Sequence, residues 1–155
     1  MNIVVLAGGN STERAVSIVS GKGVCTALRE RNHRAILLDA YFGREKLEED
    51  LFPAEYDVEK EAAWMEGKSR ELEETMKERK EFFGPYVLDI CKKADIVFLA
   101  LHGANGEDGK VQSVLDLMGI PYTGSDPLSS AMAMDKGITK VIFEAAGVPT
   151  PKGVT

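Results

Sequence analysis

Ile3 to Ala7 is an unbroken apolar run, β-branched at its first three positions and stopped by Gly8-Gly9. Ile96 to Leu101 is a second such run, and Ala35 to Leu38 a shorter third. A strand with one wet face alternates apolar and polar residues. These runs do not alternate, so they read as strands covered on both sides. Between them, Val16, Val19, Gly23 and Ala27 recur at helical spacing, with Val24 and Leu28 alongside. That predicts an amphipathic helix, in which Gly21 and Gly23 allow close packing on a sheet. A further helix is expected from about 108 to 118, a short strand over 120–123 and a helix from about 127 to 146. Gly147 suits the position past that last helix, and Pro149 and Pro151 prevent its continuation. Strands alternating with helices in this way predict an α/β fold, a parallel sheet with helices on both faces.

Residues 44–81 are set apart by charge. They hold 14 acidic and 8 basic residues, and the rest of the chain has 11 of each, so the whole net charge of −6 lies in this insert. Val58, Ala62, Met65, Leu72 and Met76 mark the stripe of one long helix, with Trp64 beside it. That reads as a solvated helix docked by its stripe, or as a contact for a partner. The negative balance excludes a broad nucleic-acid-binding face. Cys25 and Cys91 show no metal or disulfide spacing and are expected as buried free thiols. The apolar start MNIVVLAGG is too short for a signal peptide or membrane span, which gives a cytoplasmic expectation. The tail 149–155 reads as a linker entering a new strand.

In parallel sheets ligands bind beyond the carboxyl ends of the strands. Two clusters lie there. Gly8-Gly9-Asn10-Ser11-Thr12-Glu13-Arg14 follows the first strand. It meets neither GxGxxG nor GxxxxGK[ST]. Asn10 and Glu13 fit a capping box for the next helix; alternatively Glu13 holds a cationic group such as an ammonium at the mouth of the sheet. His102-Gly103-Ala104-Asn105-Gly106-Glu107-Asp108-Gly109 follows the third strand. Asp108 suits an N-cap and Glu107 complements the helix dipole. His102 is either a satisfied buried histidine or, with Glu107, part of a polar pocket able to bind a carboxylate or phosphoryl oxygen. Lys136, beside Asp135, is either a solvated lysine or a contact for a nucleotide phosphate. No order or spacing supports a hydrolytic triad or a zinc site.

Three segments then agree with one family. GGNSTERAVSIVSG (8–21) resembles the GGxSxEReVSxxSG signature of D-alanine–D-alanine ligases. LHGANGEDGKVQSVLDLMGIPYTGS (101–125) resembles their HGxxGEDGxxQxxLExxxIPYTGS block. AMAMDKGITK (131–140) with AAGVPTP (145–151) resembles the lead into their ATP-grasp region. Ala15 departs from the family's usual glutamate, and roughly 41–90 lies outside the resemblance. The resemblance implies a pre-ATP-grasp, Rossmann-like domain over 1–127 and the start of an ATP-grasp domain over 128–155. It implies an ATP-dependent ligase of peptidoglycan synthesis that joins two D-alanines through an acyl phosphate. Glu13 matches the glutamate for the first D-alanine's ammonium, and Ser11 of the same loop is expected to bind that substrate too. His102 matches the histidine near that substrate and the transferred phosphoryl group, so with Glu13 it is the expected catalytic residue; Glu107 matches a substrate-binding glutamate of the same loop, and Lys136 an ATP-phosphate lysine. Mg²⁺ ligands are expected downstream, as are other parts of the ATP site, so this chain alone is expected to be inactive. A homodimer is also implied. The rival readings are a D-alanine–D-lactate or D-serine ligase and a stand-alone binding or dimerisation module.

Overall fold

A computed structural model describes residues 1–153. Among these, β1 (Asn2–Ala7), β2 (Arg34–Asp39) and β3 (Ile96–Leu99) form one parallel sheet in the order β2-β1-β3. Val4 pairs with Ile36 on one side and with Val97 on the other. The central strand is buried on both faces, which is why its run carries no polar residue. Ile3, Val5 and Ala7 pack with Ala35 and Leu37 against Ile18, Cys25, Ala62 and Met65. Val4 and Leu6 pack with Ile36 and Leu38 against Val87, Ile90, Val111 and Leu115. The α/β expectation holds in both layers.

The first face is covered by α1 (Arg14–Glu30) and α2 (Val58–Lys68). The buried side of α1 is Arg14, Ser17, Ile18, Gly21 and Cys25. The expected stripe is therefore on the wrong side: Val16, Val19, Gly23 and Ala27 are exposed. Two buried polar side chains, Arg14 and Ser17, hid the true face from a hydrophobicity pattern. Close packing is needed at Gly21 alone, where a Cβ would stand 2.6 Å from that of Ala7, while a Cβ on Gly23 meets nothing.

The single helix expected in the insert is bent. α2 buries Val58, Ala62 and Met65 as its stripe predicts. A 3-10 turn over Ser69–Glu71 then redirects the chain into α3 (Leu72–Glu78), and Met76 is exposed. Ser69 sits at the bend with a local and a distant partner: its Oγ bonds back to the Met65 carbonyl at 3.3 Å and accepts Arg14 Nε at 3.0 Å.

On the second face lie α4 (Val87–Cys91), a short helix the periodicity did not predict, and α5 (Lys110–Leu117). The strand expected at 120–123 is reduced to one bridge, Val97 to Tyr122. Pro121 has no N–H to extend that ladder. The helix expected from 127 to 146 is two: α6 (Pro127–Met134) and α7 (Lys136–Ala145). Asp135 is extended between them, and its carboxylate caps the N–H groups of Gly137 and Ile138 at 2.9 and 3.0 Å. Gly147 has φ +70° past the end of α7, as expected. In the expected strand entry at 149–155, Val154 and Thr155 lie outside the described residues. Among the described residues no helix is long and apolar enough to cross a membrane.

Candidate active site

β1 feeds α1, which returns to β2 on one side, whereas β3 lies on the other side of β1. The crevice between the carboxyl ends of β1 and β3 is thus the point where a sheet of this kind binds ligands. Both glycine-containing clusters open into it.

After β1 the backbone turns through Gly8 and Gly9, both left-handed (φ +75° and +77°). At Gly8 a Cβ would also stand 2.8 Å from both Arg14 Nη1 and Asp39 Oδ1. That glycine makes room for a buried ion pair. Arg14 Nη2 and Asp39 Oδ2 are 2.5 Å apart, both side chains almost wholly excluded from solvent. The guanidinium also donates to the carbonyls of Gly9 (2.8 Å) and Met65 (2.9 Å). Asp39 in turn accepts the N–H groups of Tyr41 and Phe42. One arginine therefore ties the β1 loop, the end of β2 and the insert together. Sequence reasoning missed this pair. Its only trace was a carboxylate directly after the run Ala35–Leu38.

The capping box expected from Asn10 and Glu13 is not formed. α1 begins at Arg14, and Glu13 holds the N-cap position without a side-chain cap. Asn10 Oδ1 instead accepts Asn105 Nδ2 at 3.2 Å, across the crevice. Ser11 Oγ accepts the Glu13 N–H (3.2 Å) and donates to the His102 carbonyl (2.8 Å). Ser11 and Asn10 thus stitch the two loops, and the Glu13 carboxylate is left for the crevice.

Beyond β3, Gly103, Asn105 and Gly109 all take positive φ (71°, 70° and 86°), which folds the loop tightly. Asp108 is not the N-cap of α5; Gly109 holds that place. The Asp108 carboxylate accepts the N–H groups of Asn105 (3.0 Å) and Lys110 (3.3 Å) and pairs with the Lys110 ammonium. Partial burial opposes its charge. The Lys110 ammonium and the two N–H groups outweigh that and hold the carboxyl below its ordinary value. His102 is not a buried core histidine. Its ring is half-exposed, with Nε2 3.2 Å from Ser20 Oγ and Nδ1 4.0 Å from Glu107 Oε1. The other Glu107 oxygen accepts the Gly103 N–H at 2.7 Å.

The outcome is that ligand atoms of Glu13, His102 and Glu107 lie within 4.8 Å of one another. Beside them an open cleft of about 510 Å³ is lined by His102, Glu107, Gln112, Ser129, Ser130 and Met134. Gln112 is buried, its Nε2 on the Gly106 carbonyl, and its Oε1 has no protein donor. Lys136 is not part of this group: it is exposed at the first turn of α7 and lines a smaller hollow with Thr139 and Lys140. Ala133 borders both cavities.

Residues 2–125 match the family described as D-ala D-ala ligase N-terminus. The chain belongs to that family. It is 43% identical to the D-alanine–D-alanine ligase of Lacticaseibacillus casei, over 97% of this chain and 43% of the relative. It is 38% identical to that of Aquifex aeolicus, over 97% of this chain and 38% of the relative. The solved ligase of Bacillus anthracis complexed with ATP superposes with a TM-score of 0.63 at 29% identity, covering 98% of this chain and 38% of that one. This ligase N-terminal chain therefore spans less than half the length of the relatives it matches.

Proposed function

We propose that this chain forms one wall of the site of an ATP-dependent ligase that joins two D-alanines for peptidoglycan synthesis. The observation that carries the reading is the convergence of Glu13, His102 and Glu107 at the carboxyl ends of β1 and β3. Glu13 and Glu107 bring two negative charges, and the cations nearby are engaged elsewhere: Arg14 with Asp39, Lys110 with Asp108. An amino acid's ammonium group fits that imbalance. In this reading Glu13 holds the ammonium of the first D-alanine. His102 donates a hydrogen bond to its carboxylate as that group is phosphorylated, and Glu107 orients the ring. Ser11 supports the loop. The amine of the second D-alanine then attacks the acyl phosphate carbon, and phosphate leaves. Positioning and electrostatics are what such a wall supplies.

ATP use is supported by the ATP-bound relative. Lys136, followed by Lys140 on the same helix, is the proposed contact for ATP phosphate. Mg²⁺ is proposed with the nucleotide, but the described residues do not fit it. It favours a near-octahedral set of oxygens, whereas the metal-capable group here includes an imidazole. The Mg²⁺ ligands are placed outside this chain. A division at about residue 127, with 128 onward starting an ATP-grasp domain, a cytoplasmic location and a homodimer complete the proposal. D-lactate and D-serine ligases remain the alternative for the second substrate.

The test is D-alanine-dependent ADP release by a protein of its relatives' full length that carries this chain, with Glu13→Gln beside it. Activity that Glu13→Gln lowers by at least two orders of magnitude is expected. Activity indifferent to D-alanine or to the substitution would overturn the reading. Sedimentation of the same protein tests the dimer.

A further inference from the structure

We propose that Glu13, His102 and Glu107 also form a binding site for a divalent transition-metal ion of the zinc class. Bound there, the ion would exclude an ammonium ligand. The metal site rests on geometry alone; the competition rests on the reading of Glu13 as the residue for D-alanine's ammonium.

The donor set is one imidazole and two carboxylates. Zinc and its neighbours accept that mixture, and three protein ligands with an open position is the pattern of an accessible zinc site. The ligand atoms lie within 4.8 Å of one another, and His102 Nδ1 and Glu107 Oε1 are 4.0 Å apart. Bonds of zinc length in a tetrahedron bring ligand atoms to about 3.4 Å, so the group must close by roughly an ångström. The Glu13 carboxylate is exposed and takes no hydrogen bond among the described residues, so it can swing in. The other two ligands are already oriented from behind. Ser20 Oγ faces His102 Nε2, which leaves the Nδ1 lone pair for a metal when Nε2 carries the proton. The Gly103 N–H holds one oxygen of Glu107, which leaves the other facing the ring. Such outer partners fix the tautomer and direction of metal ligands.

Charge points the same way. Two carboxylates and a neutral imidazole carry −2, and no lysine or arginine among the described residues pairs with Glu13 or Glu107. An ammonium offsets half of that, a dication all of it. The imidazole separates the ions: it is a poor ligand for Mg²⁺, so the site selects against the ion that accompanies ATP.

The experiment is calorimetric titration of the chain with Zn²⁺, and with Co²⁺ followed by its visible ligand-field absorption. One equivalent is expected to bind. His102→Asn and Glu107→Gln should each weaken binding by about tenfold or more, and Ser20→Ala by about tenfold. His33→Asn should leave it unchanged, and Mg²⁺ should not compete. Circular dichroism of each variant checks the fold, and Glu13→Gln, on an exposed side chain, serves if a loop variant unfolds. Binding that survives His102→Asn and Glu13→Gln, or that Mg²⁺ displaces, would overturn the site. In the full-length protein D-alanine should raise the apparent dissociation constant for Zn²⁺. Zinc that binds as stated but is indifferent to D-alanine would leave the metal site standing and remove the competition.

Discussion

Arg14 shows how one side chain serves both stability and the site. Its guanidinium is buried with Asp39 and bonded to two carbonyls from separate segments. Removing one partner of a buried pair strands the other charge, a loss of about 3–5 kcal/mol. Arg14→Met is expected to lower the urea-unfolding free energy by that order. Asp39→Leu paired with Arg14→Met should recover part of it, which a double-mutant cycle measures. The carboxyl of Asp108, held below its ordinary value of 3.8, gives a pH prediction. A carboxyl depressed in the folded state adds stability above its unfolded pKa, and that stability is lost as pH falls through the folded one. The Asn105 and Lys110 amide resonances should therefore hold steady at neutral pH and shift on acidification below about pH 4. A shift that persists in Asp108→Asn would refute the assignment. Burial pushes the Cys25 and Cys91 thiols up to about 12, so both should resist thiol reagents until the chain is unfolded.

Among the elements, α1 is the instructive case. Gly21 and Gly23 are two residues apart and face opposite ways. A Cβ at Gly21 would overlap Ala7, with Leu37 at 3.0 Å, while one at Gly23 enters open space. Gly23→Ala is expected to raise stability by about 0.5–1 kcal/mol through helix propensity. Gly21→Ala should lower it by about 1–3 kcal/mol despite the same propensity gain, because it overpacks the sheet contact. Thermal unfolding of the two variants decides this; equal shifts would contradict the packing. The break between α6 and α7 follows the same logic of local competition. Asp135 is compatible with a helix by pattern, yet its carboxylate caps two N–H groups of the next one. A hydrophobicity profile cannot register that choice.

Across the whole molecule, order follows burial. β1 is enclosed by strands on both sides and by packed residues on both faces. α7 buries none of its side chains, and Ile138, Val141, Ile142 and Phe143 are exposed on it. Native-state hydrogen exchange should find the slowest amides at Val4 to Leu6 and much faster ones in α7. Comparable protection in the two would contradict this ranking. At this scale the two loops become one site. Residues 13 and 102 are remote in sequence and adjacent in space because β1 and β3 are paired in register.

The class of fold was legible from the three apolar runs, since a strand buried on both faces leaves no other pattern. The clusters after Ala7 and Leu101 were legible too, because glycines at the carboxyl ends of such strands mark where a backbone can turn and a ligand approach. Which side of α1 faces the sheet, the bend at Ser69 and the fate of Asn10 were not. Each depends on a polar partner from a distant segment: Asp39 and Met65 for Arg14, Arg14 for Ser69, Asn105 for Asn10. Hydrophobic periodicity is a local signal and determined the layers. Buried polar pairing is non-local, and only the tertiary structure could decide it.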